Sequence, residues 1–250
     1  MNENKHKTLG YSIIAIILVI GAIISSIIVT NGIVEIKTAR TNIIVTGSAK
    51  QQITSDLIVW TGSFNTQATK LQDAYTDLET NRNKVKTYLI DKGLTEDQLV
   101  FSSITTTINY VLNDYGSYTN EIDNYSLSET VTISSAEIDK ITEISRNSTE
   151  LLNEGVAFES YPPQYLYTKL ADIKVTMLAA ATKDAKNRAD MIATNAGSKL
   201  GGLTYADMGV MQITPLYSDE ISDYGINDTS SLEKEITAVV HCTFNIENSK

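Results

Sequence analysis

The chain has 250 residues, 42% of them hydrophobic, a formal net charge of −10 and a single cysteine, Cys242. A surface that acidic repels phosphate backbones and anionic headgroups, which argues against nucleic acid as a partner. One thiol permits no intrachain disulfide and no cysteine-built zinc site. The apolar fraction is ordinary for a chain with a packed core.

Residues 11–29, YSIIAIILVIGAIISSIIV, carry no charge. About twenty such residues are what a helix needs to cross a bilayer core. Lys5 and Lys7 precede the run and Glu35 is the first charge after it. The positive-inside bias therefore places residues 1–10 in the cytoplasm as a tail and the rest outside, with 11–30 as a signal anchor in the plasma membrane. A cleaved signal peptide with a secreted product is the alternative. The run is longer than a usual signal core, and neither an A-x-A-like site nor a cysteine follows closely. Residues 31–41 read as a polar tether, and 42–250 as one extracytoplasmic domain.

Residues 43–49 and 55–66 are rich in β-branched side chains and read as strands, with 50–52 between them. Residues 69–92 carry Leu71, Tyr75, Leu78, Val85 and Leu89 at helical spacing, and Gly93 supplies a stop. A strand pair follows, 100–112 and 125–133, in which apolar residues alternate with Ser and Thr. The loop between them, 113–124, is too long for a two-residue turn, so a projecting hairpin arm is expected. Residues 136–153 form a second amphipathic helix stopped by Gly155. Residues 156–160 read as a strand, and Pro162 with Pro163 forces an extended bend.

Residues 170–200 are the spine of the domain. Apolar positions recur at Leu170, Ile173, Met177, Ala180 or Ala181, Ala185, Ala189, Ile192 and Ala196, while Lys183, Lys186, Asn187, Arg188 and Asp190 fall outside the stripe. The alanines let a backbone approach closely what the helix covers. Gly197 ends the helix, and Gly201 with Gly202 reads as the turn that sends the chain back. A strand over 207–215, a flexible acidic loop over 216–231 and a strand over 235–248 complete the order. The fold class is α+β, a largely antiparallel sheet covered by three amphipathic helices, plus one N-terminal transmembrane helix.

Few residues invite catalysis. His6 lies in the tail. His241 adjoins Cys242, but neighbouring strand residues point to opposite faces, so the two form no nucleophile–base pair. Gly-rich phosphate loops are missing. Asp219, Glu220, Asp223 and Asp228 read as a solvated loop rather than a calcium site, and Asp114, Glu121 and Asp123 fall at the hairpin tip. Neither catalytic, cofactor nor metal residues are assigned, and no cofactor is expected. Tyrosine is more informative, because its large apolar body with a polar end suits interfaces. Tyr110, Tyr115, Tyr118 and Tyr125 lie in or beside the arm. Tyr161, Pro162, Pro163 and Tyr165 surround the bend. These eight are the candidate partner or oligomer contacts.

The pattern resembles the SIMPL-domain (DUF541) family of bacterial envelope proteins, which includes periplasmic outer-membrane-antigen-like members. The matching pieces are Val45-Thr46-Gly47-Ser48-Ala49, Lys92-Gly93-Leu94 running into Ile104 to Tyr110, and Gly155 before Val156. Residues 182–189 (TKDAKNRA), Ala196-Gly197, Leu200-Gly201 and the closing strand from Ala238 to Ile246 complete it. The resemblance covers about 41–248. It implies an extracytoplasmic domain that tends to form ring-like or channel-like oligomers, and it carries no established catalytic residues. A non-enzymatic anchored envelope protein is therefore expected, assembling with itself or with an envelope protein or peptide and linked to envelope integrity or stress tolerance. A small-molecule or peptide binding module and a carboxylate-dependent glycan hydrolase are the alternatives. The hydrolase requires a carboxylate raised in pKa within a groove.

Overall fold

The structure, a computed structural model, describes residues 3–38 and 42–248. In chain order the elements are α1 (Glu3–Thr38), β1 (Asn42–Thr54), β2 (Leu57–Ala68), α2 (Leu71–Asp91), β3 (Val100–Phe101), β4 (Thr105–Leu112), β5 (Tyr118–Ser135) and α3 (Ile138–Asn147). There follow β6 (Ala157–Ser160), β7 (Gln164–Leu166), α4 (Leu170–Asn195), β8 (Ser198–Met208), β9 (Gln212–Pro215) and β10 (Glu233–Asn248). The fold is α+β, with antiparallel strands in two sheets rather than one. The chain divides into two compact units, one of Met1–Ala49, Leu178–Gly209 and Ala238–Lys250, the other of Lys50–Met177 and Val210–Thr237.

In the first unit, α1 includes an 18-residue window, Ile16–Ile33, with mean hydropathy 2.4 and none of it buried. The helix is long and apolar enough to cross a membrane. It runs on without a break through Thr38, so the expected tether over 31–41 is helical for most of its length, and 39–41 lie outside the described residues. Strands β1, β10 and β8 lie side by side in that order. Ile43, Val45 and Gly47 on β1 and Ala238, Val240, Cys242 and Phe244 on β10 form its buried face. On α4, Ala181, Ala185, Ala189 and Ala193 are all buried. The reason for small residues is visible at Gly47: a Cβ there would collide with the Ala181 carbonyl and come within 2.6 Å of the Ala185 Cβ.

Gly197, at φ 73, makes the turn after α4. Gly201 and Gly202, expected as a turn, lie inside β8. Their place is explained by register shifts in the β10–β8 ladder on either side of Phe244. Glycine within a strand marks such an irregularity or a close approach, and a Cβ on Gly201 would sit 3.0 Å from Asn245 Cβ. The expected strand over 207–215 divides: β8 ends at Met208, and β9 begins at Gln212.

The second unit holds the larger sheet. Strands β5 and β2 are its centre, paired from Ile58↔Ser135 to Ala68↔Tyr125. Each outer edge is built of two short strands, β3 and β4 along β5, and β6 and β7 along β2. Pro162 and Pro163 fall between β6 and β7, where a missing backbone donor does no harm to a ladder. Strand β7 did not emerge from the sequence pattern, nor did the gap between β3 and β4. Alternate residues of β2 and β5 face the helices: Ile58, Trp60 and Phe64 of β2 and Leu127, Val131 and Ile133 of β5 are buried with Leu78, Val85, Leu89 and Ile141.

Three boundaries differ from expectation. Residues 50–52 belong to β1, which ends only at Thr54, and Ser55 and Asp56 lead into β2. Leu71 and Tyr75 at the start of α2 are exposed, and Ala74 and Asn81 take stripe positions instead. The second helix stops at Asn147, and Ser148–Glu154 tightens into a 3-10 helix before Gly155 at φ 79. Buried Ser148 and Leu151 still follow the apolar face.

Candidate functional site

The arm is built by β4 and β5. Pairing of β5 with β2 ends at Tyr125↔Ala68, whereas pairing with β4 continues through Asn109↔Asn124 and Tyr110↔Ile122 to Leu112↔Tyr118. Beyond Tyr125 the hairpin has two strands only. Its turn is shorter than the sequence suggested: β5 begins at Tyr118, leaving residues 113–117. Asn113 organises that turn, its Oδ1 accepting the amides of Tyr115 and Ser117 at 3.0 Å each. Gly116 completes it at φ 74. The result holds Tyr115 at 94% and Tyr118 at 78% exposure, beside the exposed Tyr110 and Leu112.

The eight candidate contacts therefore separate. Tyr110, Tyr115 and Tyr118 are exposed on the arm, whereas Tyr125 packs against the main core at its root. Tyr161 and Pro162 are exposed and Pro163 is half-buried. Tyr165 is drawn inward: it packs on the core, its hydroxyl lies 3.1 Å from Thr142 Oγ1, and its carbonyl accepts from Lys234.

His241 and Cys242 point to opposite faces. The ring of His241 is exposed, with Nδ1 3.0 Å from Thr46 Oγ1, and the thiol is fully buried. Burial pushes the Cys242 pKa up, which suppresses the thiolate. Among the described residues no three His, Cys, Asp or Glu side chains gather as they would around a metal ion.

Two buried charges in the second unit escaped the sequence reading. Glu129 occupies an inward position of β5, between Leu127 and Val131, and is 2% exposed. Arg82 on α2 lies 3.4 Å away and stacks 4.6 Å from the Phe101 ring centre, yet neither Glu129 oxygen has a hydrogen-bond partner among the described residues. Burial pushes the Glu129 pKa up and the Arg82 charge offsets this only in part. The alternation of the strand was the available signal, because position 129 falls in the apolar register.

Lys234, also 2% exposed, is the second residue of β10. Its Nζ donates to the Tyr165 carbonyl at 2.6 Å and to the Asp228 carbonyl. The 216–231 loop, expected to be solvated and flexible, is pinned there. Ile213 donates to Ile226, Asp228 donates back to Ile213, and Tyr165 donates to Thr229. Asp219, Glu220 and Asp223 are exposed as expected, but Asp228 turns inward and its Oδ1 accepts from the Ser230 amide and hydroxyl. Burial raises the Asp228 pKa, but those bonds and the Lys234 charge outweigh it, leaving the carboxyl below its ordinary value.

An α+β domain with two antiparallel sheets, a long helical layer and an apolar helix in front of it defines the class. The model of one family, SIMPL, described as a protein of unknown function (DUF541), matches residues 43–244, and the chain belongs to that family. The match runs through parts of both compact units. No curated relative matches the chain.

Proposed function

We propose that the protein is a single-pass, membrane-anchored envelope protein whose SIMPL domain works by contact, with copies of itself or with an envelope partner, and not by catalysis. The plasma membrane holds residues 11–30, the N-terminal tail is cytoplasmic and the domain is extracytoplasmic, where it contributes to envelope integrity or stress tolerance. The observation that carries the reading is the two-stranded arm beyond Tyr125, which presents Tyr110, Tyr115 and Tyr118 to solvent. A bare two-stranded ribbon is marginal by itself in water, and docking on another surface would stabilise it. Large rings on such a ribbon also supply contact area at low cost in side-chain entropy.

The test is the mass of the full chain in nanodiscs or neutral detergent, by light scattering with detergent or lipid mass subtracted. A discrete oligomer is expected, dissociating or weakening about ten-fold when Tyr115 and Tyr118 are both replaced by Ser, equivalent to about 1.4 kcal/mol. A strict monomer for the unaltered chain at high concentration overturns self-assembly. An oligomer indifferent to both substitutions removes the arm from it.

A further inference from the structure

The arm has two open edges, and they are not alike. Beyond Tyr125 the outer edge of β5 has no strand beside it among the described residues, and over 118–124 it carries Glu121 and Asp123. It also takes the irregularities of the hairpin. Asn109↔Asn124 is followed by Tyr110↔Ile122 and then by Leu112↔Tyr118, so the surplus residues all bulge from β5. Charges and bulges are what keep a sheet edge from recruiting another strand. The edge of β4 has neither. Among the described residues β4 pairs with β5 alone. Its eight residues, TTTINYVL, include no charge and no proline, and six of them are exposed. The apolar face beside that edge is open too. Thr106 and Leu127 are paired, and both line a surface groove with Leu71, Tyr75 and Ile104. Ile108, Tyr110 and Leu112 continue that face along the strand, and all three are exposed.

The strand's own sequence points to the occupant of its edge. Read outward from Asn109, β4 is close to its own mirror image. Ile108 and Tyr110 are large and apolar, Thr107 and Val111 are β-branched and similar in shape, and Thr105 and Asn113 are polar. An antiparallel strand of this same sequence, related by a two-fold axis through Asn109, matches every one of these pairs, leaving only Thr106 against Leu112 unlike in kind. The register also joins residues of the same parity, so the open apolar faces of both copies fall on one side of the joined sheet. At a net charge of −10 two copies repel, and a charge-free edge is where they can meet. Four strands with a shared apolar face also pass the limit below which a ribbon is marginal in water. We propose that β4 pairs antiparallel with β4 of a second copy, about a two-fold axis at Asn109, joining two arms into one four-stranded sheet. The inference rests on the arm as the contact element of the proposed function, and adds to it the partner and the register.

The full chain in neutral detergent is tested by cross-linking and by light scattering. Residues directly opposite in an antiparallel pair have Cα atoms about 4.5–5.5 Å apart, within reach of a disulfide. Asn109→Cys is therefore expected to cross-link under mild oxidation to the mass of two chains. Asn120→Cys, on the charged edge of β5, is expected not to, and the native Cys242 is buried and does not compete. Thr107→Lys with Val111→Lys sets like charges opposite each other at two pairs and is expected to weaken association about ten-fold or more. Thr107→Lys with Val111→Glu sets opposite charges there and is expected to restore it. The restoring variant carries the same number of substitutions in the same places, so damage to the fold of the arm does not mimic the pattern. An oligomer that ignores both charge variants, or that leaves Asn109→Cys uncross-linked, overturns the edge pairing while self-assembly stands. A strict monomer for the unaltered chain overturns both. A product of Asn109→Cys with the mass of one chain plus a different protein removes the second copy as the occupant.

Discussion

Glu129 is the residue whose environment departs furthest from what its chemistry prefers. Its neighbours along the inward face of β5 are Leu127 and Val131, and the cationic Arg82 approaches it without a hydrogen bond. The two partners are not equivalent, because the Arg82 side chain is 45% exposed and the Glu129 side chain 1%. Removing Glu129 leaves a guanidinium that water can solvate. Removing Arg82 leaves a carboxylate that nothing solvates. Arg82→Gln is therefore expected to destabilise the second unit by about 3 kcal/mol at neutral pH, and Glu129→Gln to be neutral or stabilising by about 1 kcal/mol. The folded-state pKa of Glu129 lies above its unfolded value, so folding takes up a proton between the two. Stability consequently falls as pH rises from the unfolded value through the folded one, and stays lowered at neutral pH. Denaturant unfolding at about pH 4 and pH 7 checks both points: the Arg82→Gln deficit should shrink at the lower pH, and equal deficits would refute the assignment.

Close contact between α4 and β1 depends on small side chains on both. The alanine spacing from Ala181 to Ala189 was legible in the sequence, because it combines helical period with minimal volume, but Ile192 and Ala196, expected to continue it, are exposed and Ala193 is buried instead. That Gly47 was its counterpart was not legible, since a glycine between two threonine- and serine-flanked positions carries no sign of what will cross it. The structure gives the reason, in the collision a Cβ would make with the Ala181 carbonyl and the Ala185 backbone. Gly47→Ala is expected to destabilise the first unit by about 3 kcal/mol through overpacking, and Gly47→Ser by at least as much. Hydrogen exchange of β1 amides measures it, and protection equal to that of the unaltered chain would show that α4 yields freely. The elements that periodicity placed well are those with long, uninterrupted periods, such as α2, α4 and β10, whereas β5 begins seven residues before the expected 125. Those it misplaced are short or glycine-marked. Strand β7 has three residues, too few for a period, and Gly201 with Gly202 has a turn's composition in a strand with irregular register. The candidate site divided in the same way. Exposed rings on the arm followed from alternation and turn chemistry, whereas the burial of Lys234 needed Tyr165, distant in sequence, to meet it.

For the whole molecule the proposed anchor makes a second claim, the side of the membrane on which the domain would lie, and the charges around the apolar helix frame it. Lys5 and Lys7 precede the window and Glu35 follows it closely, but Lys37 and Arg40 lie only a few residues further on. The positive-inside bias counts cations within about 15–20 residues of each end, and acidic residues contribute little to it. By that count Lys37, Arg40 and Lys50 on one side stand against Lys5 and Lys7 on the other, so the proposed orientation rests on no excess of cations and a small change should move it. Replacing Lys5 and Lys7 by Glu leaves Lys37 and Arg40 as the nearest cations. The fraction of chains with residues 42–248 outside should then fall several-fold. Replacing Lys37 and Arg40 by Gln should make that orientation nearly complete. External protease added to intact cells, with and without permeabilisation, reads the fraction directly. A domain protected from protease in intact cells but cleaved after permeabilisation, for the unaltered chain, would overturn the proposed topology and with it the envelope as the place where the arm finds its partner.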